Sequence, residues 1–173
     1  MKNFVKLSLI CLLLGMAACA PTKIWTSDPL VQSAENPHYN AKFEPMKNGN
    51  NYFNSFRLVF TNKSDKDLTI DWNKTRYLYN NKAYGRFVFA GVDEKNVNNL
   101  PPDTVPSGGS LTKIVSPLKM IAWKPLQARH VDTPGFSRGP IPEGQSGILL
   151  VVSWNSQEIR ERITLNIEIK KEK

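Results

Sequence analysis

The residues that could do chemistry are few and far apart. The chain has two histidines, His38 and His130, and two cysteines, Cys11 and Cys19. A serine hydrolase needs a histidine held by an acid beside its nucleophile, and no Gly-x-Ser-x-Gly turn occurs here. His130 has Asp132 two residues on, but both lie in a stretch rich in proline and glycine, where an exposed loop histidine is the plain reading. Zinc sites want clusters of His, Cys and carboxylate, and two distant histidines are too few. Asp65, Asp67 and Asp71 lack the turn glycine and closing glutamate of a calcium loop, so they read as a charged turn. The expectation is a protein without catalysis, metal or cofactor.

Binding is better provided for. Tyr77, Tyr79 and Tyr84 cluster with Arg86, a composition that suits a sugar platform, although tyrosines at alternating strand positions are also ordinary half-buried sheet residues. The segment 122–147 carries Trp123, Arg129, His130, Phe136 and Arg138. Tryptophan and arginine are frequent interface hot spots, so these five are the candidate contacts for a protein partner. The alternative is that the segment simply covers an open sheet edge. Asn62-Lys63-Ser64 and Asn73-Lys74-Thr75 match glycosylation sequons and are read as accidental. The formal net charge is +8. Its basic residues near the C-terminus, Arg160, Arg162, Lys170 and Lys171, alternate with Glu161, Glu168 and Glu172, which is a solvated face rather than a nucleic-acid patch.

The first residues have a different composition. Lys2 and Lys6 precede an apolar run from Leu7 to Ala18, broken only by Ser8 and Gly15. That is the charged n-region and short h-region of a secretory signal, too short to span a bilayer. Met16-Ala17-Ala18-Cys19 resembles the lipobox of bacterial lipoproteins. The resemblance implies cleavage before Cys19 and covalent lipid on its thiol and new amino group. A lone free thiol would otherwise remain in an oxidising compartment. Two or three acyl chains on one residue make a durable anchor where one would bind reversibly. Ala20, rather than aspartate, after the cysteine implies the outer membrane by analogy with enteric-type bacteria, and the domain is expected to face the periplasm. The division expected is therefore a removed signal at 1–18, a lipidated Cys19 with a tether to residue 38, and a folded domain over 39–173.

The domain must then position these groups, and its pattern has a period of two. "FRLVF" puts Phe56, Leu58 and Phe60 on one face, and "LTIDW" does the same with Leu68, Ile70 and Trp72. The turn cluster between them predicts a hairpin. "RYLY" and "RFVFAGV" predict a second, across "NNKAYG". "LTKIV" reads as a short strand, and Ser116-Pro117 as the start of a helical turn through "LKMIAW". Residues 124–147 show no strand pattern. "GILLVVSW" is apolar on both faces, as a central strand should be. The last strand alternates cleanly, with Ile163, Leu165, Ile167 and Ile169 inward. Trp72 and Trp154 are both expected in the core. Seven to nine short strands with little helix predict an all-β fold, a two-sheet antiparallel sandwich of immunoglobulin-like or transthyretin-like layout. The function expected is a membrane-anchored, non-enzymatic adaptor contacting an envelope protein, with a peptidoglycan or other glycan binder as the alternative.

Overall fold

The computed structural model describes residues 23–124, 135–155 and 157–171. Its strands in chain order are β1 (Lys23–Asp28), β2 (Gln32–Glu35), β3 (Tyr39–Met46), β4 (Ser55–Asn62), β5 (Leu68–Ile70), β6 (Arg76–Tyr79), β7 (Lys82–Gly85), β8 (Phe87–Phe89), β9 (Asp103–Val105), β10 (Ser110–Pro117), β11 (Ile121–Trp123), β12 (Phe136–Arg138), β13 (Gly144–Trp154) and β14 (Gln157–Lys171). They form an all-β sandwich. One sheet runs β2-β3-β4-β10-β8. The other is built on the long β13–β14 hairpin, with β1 beyond β14. The second edge of β13 is shared, first by β6 and its partner β7, then by β5 and its partner β9. A small third sheet pairs β11 with β12. All of these pairings are antiparallel.

The core follows from the alternation. Tyr39, Ala41 and Phe43 of β3, Phe56, Leu58 and Phe60 of β4, and Ile148, Leu150 and Val152 of β13 are fully buried, with Ile163, Leu165 and Ile167 of β14 beside them. Phe43 stacks on Phe56 at 4.5 Å, and Tyr39 lies against Phe60 at 4.7 Å. Each buried Phe, Leu, Ile or Val among them contributes about 1.5–3 kcal/mol by leaving water.

Several connections differ from the sequence reading. Segment 61–67 does not close a hairpin: β4 lies in one sheet and β5 in the other, so the chain arches across the core. Alternation reports which residues face inward and is silent on which sheet they join. The second hairpin is tighter than expected. Asn80 and Asn81 take φ of 46° and 64° and make the two-residue turn from β6 to β7. Positive φ at both centres is the primed turn that matches strand twist, and asparagine tolerates it. Phe87–Phe89 then leaves for the opposite sheet to pair with β10.

The expected tether also needs correction, because residues 23–28 and 32–35 of it are sheet. Lys23 to Asp28 pair with Lys171 to Asn166, and β2 pairs with β3. These are edge strands, and backbone hydrogen bonding asks for no apolar alternation. The helical turn expected after Ser116-Pro117 is only a 3-10 turn at Leu118–Met120, since β10 continues through Pro117 and β11 begins at Ile121. The patternless 124–147 stretch contains β12 and the start of β13. Ile141, fully buried, donates its N–H to the Phe53 carbonyl at 2.7 Å and accepts the Trp25 indole N–H at 3.2 Å. Trp72 is in the core as expected, whereas Trp154 is half-buried and lies against the His38 ring at 4.2 Å.

Candidate functional site

Two surfaces carry the candidate binding residues. The first is the β6–β7 hairpin. Tyr77 is fully buried, and its hydroxyl bonds Ser146 Oγ at 2.9 Å. It is a core residue and leaves the sugar platform. Tyr79 is half-buried and donates its hydroxyl to the Glu143 carbonyl at 2.8 Å. Tyr84 is exposed, 5.6 Å from the Tyr79 ring, and the Lys119 ammonium sits 4.1 Å from its ring centre. Arg86 donates to the Asn98 carbonyl at 3.1 Å. What remains for a ligand is the rim of Tyr79 and Tyr84, with one cation already stacked on it.

Burial pushes Tyr77 up to about 12, and the same desolvation, helped by Glu161, pushes Tyr39 up to about 12. Both rings fold as neutral phenols. In the unfolded chain they ionise near 10, so the unfolded state sheds protons first. The contribution of these two rings to stability should be flat below pH 10 and fall between about pH 10 and 12. Urea midpoints measured across that window check this, with Tyr77→Phe showing a shallower fall.

The second surface is the β11–β12 hairpin. Phe136 is buried and takes the edge of Trp123 at 5.6 Å, so Phe136 is a packing residue and not a partner contact. Trp123 is half-buried. Arg138 donates Nε to Ser116 Oγ at 2.8 Å, and its guanidinium carbon lies 5.1 Å from the Phe136 ring centre. Desolvation by burial holds the Arg138 pKa below the ordinary guanidinium value. Beside it lies a cleft of about 280 Å³ lined by Asn48, Phe89, Ala90, Thr112, Lys113, Ile114 and Arg138. Arg129, His130 and Cys19 lie outside the described residues.

Two residues read as accidental sequons prove to be loop clamps. Asn62 is buried; its Nδ2 donates to the carbonyls of Lys66, Val105 and Pro106 at 2.8, 2.9 and 3.1 Å, and its Oδ1 accepts from Ser64 N and Oγ. Asn73 bonds the backbone of Leu100 twice, Nδ2 to the carbonyl at 2.7 Å and Oδ1 from the N–H at 2.9 Å. Asparagine in such a stretch signals a turn, but apart from Lys66 the carbonyls clamped, those of Val105, Pro106 and Leu100, are more than twenty residues away.

Among the described residues, no group of three His, Cys, Asp or Glu side chains could hold a metal ion, and no helix is long and apolar enough to cross a membrane. Compared with protein-family models, curated proteins and solved structures, the chain gives no match. The class the fold defines is an all-β sandwich.

Proposed function

We propose that this chain is a lipid-anchored binding module of the bacterial envelope, an adaptor that holds a protein partner close to a membrane. The observation that carries the reading is Met16-Ala17-Ala18-Cys19 immediately upstream of the sandwich. β1 begins at Lys23, four residues after Cys19. An extended chain spans at most about 3.6 Å per residue, so a lipid on Cys19 would hold this corner within roughly 14 Å of the head groups. The corner is basic: Lys23 pairs with Lys171, and Ile24 with Lys170. Each lysine near an anionic surface is worth about 1 kcal/mol. The Ala20 that follows the cysteine favours the outer membrane, with the domain in the periplasm.

The partner surface in this reading is the β11–β12 hairpin, where Arg138 lines a cleft and the half-buried Trp123 lies against Phe136; in sequence, Arg129 and His130 fall between the two strands. A protein partner is favoured over peptidoglycan because Tyr77 lies in the core and Lys119 occupies the Tyr84 ring.

Cys19→Ser tests the anchor. The wild type should sediment with membranes, and the variant should appear in the soluble fraction or as uncleaved precursor. Identical fractionation of the two would overturn it. A photo-crosslinking residue at position 123 should capture one discrete envelope protein. Retention on purified sacculi without any crosslinked protein would favour the glycan binder instead.

A further inference from the structure

We propose that the cleft beside Arg138 is a receptor for a carboxylate presented by a peptide chain. Three cations lie on or next to this part of the β4–β10–β8 face, and two are already matched. Arg57 forms an ion pair with Glu44, and Lys113 with Asp103. Arg138 has no acidic partner among the described residues. Its Nε is fixed by Ser116, a fully buried serine of β10, and its plane is backed by Phe136. The terminal nitrogens make no hydrogen bond to the described residues. A guanidinium held at Nε, with no partner for its terminal nitrogens among the described residues, is preorganised for bidentate pairing with a carboxylate. Its partial desolvation strengthens that pairing, because the contact forms in a medium of lower dielectric than water.

The rest of the cleft supports a peptide rather than a bare anion. Ile114, which is 39% exposed, and Ala90 supply an apolar floor. Asn48 donates its amide to Asn54 Oδ1 at 2.8 Å and Ser55 Oγ at 2.6 Å, which fixes the side chain and leaves its carbonyl oxygen as an acceptor for a ligand N–H. A carboxylate, an adjacent N–H and a small apolar group describe a peptide C-terminus or an Asp or Glu side chain with its own backbone. The inference deepens the adaptor reading by naming the chemistry that the partner would present at the hairpin.

The full chain, labelled with ¹⁵N, should be titrated with three probes: N-acetyl-alanyl-valine, its C-terminal amide, and the α-amide of N-acetyl-glutamic acid. Saturable shifts at Arg138 Nε–H, Ile114 and Asn48 are expected with at least one of the two acids and not with the dipeptide amide. Which acid binds more tightly separates a chain terminus from an acidic side chain. Arg138→Lys, which keeps the charge but loses the fork, should weaken binding by about tenfold, equivalent to 1.4 kcal/mol. Ile114→Glu, at a solvent-exposed position, places a competing carboxylate in the cleft and should abolish binding with a well-dispersed spectrum. No saturable shift with either acid, equal shifts with the amide, or unchanged affinity in both variants overturns the proposal. The titration reads the same whether or not Cys19 carries lipid. A crosslinked partner that persists without carboxylate binding removes the cleft and leaves the adaptor.

Discussion

Trp72→Ala should lower the melting temperature by roughly 10 °C, the largest loss expected from any single truncation in this domain. Truncating a buried tryptophan costs about 3–5 kcal/mol, and a domain of this size loses about 2–4 °C per kcal/mol. The site gives reason to expect the upper part of that range. Trp72 is 1% exposed and packs on Phe89 at 5.3 Å. Its indole N–H donates to Asp103 Oδ2 at 2.6 Å, and the same carboxylate pairs with Lys113. The Lys113 ammonium in turn sits 3.8 Å from the Phe89 ring centre. Removing the indole therefore opens a cavity and strips one donor from a partly buried carboxylate. Trp72→Phe keeps most of the volume and should cost less than half as much. A melting temperature within about two degrees of wild type for the alanine variant would show that this tryptophan is not a core residue.

The second large effect is expected at Asn62. One side chain holds three carbonyls and one turn where the chain passes from the first sheet to the second. Leaving a buried carbonyl unpaired costs about 1–3 kcal/mol, and Asn62→Leu orphans more than one. Asn62→Asp is nearly isosteric, yet it should be worse at neutral pH, because it turns an oxygen toward three carbonyl oxygens. Those carbonyls disfavour the charged form, so the introduced carboxyl should fold with a raised pKa. Its sign is then fixed: the protonated form is tolerated, and stability is lost as pH rises through that pKa. Urea midpoints at pH 5 and pH 7 should show the Asp variant closer to wild type at the lower pH. The opposite trend would mean that the Asn62 amide does not face those carbonyls.

Trp72 and Asn62 also mark how far the sequence could be read. The inward faces were legible because burial imposes a period of two on strands such as β4, β5 and β14, and Phe56, Leu58, Phe60, Leu68, Ile70 and Trp72 all lie where that period puts them. The pairing of those strands was not legible. An arch and a hairpin place the same residues inward, and what distinguishes them here is Asn62 reaching Val105 and Pro106, contacts of long sequence separation. β1 and β2 were hidden for another reason. Edge strands are held by backbone hydrogen bonds, and "KIWTSD" and "QSAE" show no apolar alternation. The candidate surface was half legible. Arg138 and Trp123 stood out by residue type. Ser116, Ile114 and Asn48, which give Arg138 its geometry and its cleft, meet it only through the packing of β12 against β10 and the β3–β4 turn. Phe136 and Tyr77 carried the same composition signal as surface aromatics and are in the core, since an aromatic in a strand is equally suited to either.

The intact mass of the mature protein tests the proposed lipid anchor on Cys19 most directly. Protein extracted from the membrane fraction of cells expressing the full chain should have the mass of residues 19–173 plus a diacylglycerol group, with or without a further acyl chain, and the modification should map to the N-terminal cysteine. An unmodified mature chain, beginning at Ala20 or later or at a free Cys19, would contradict it.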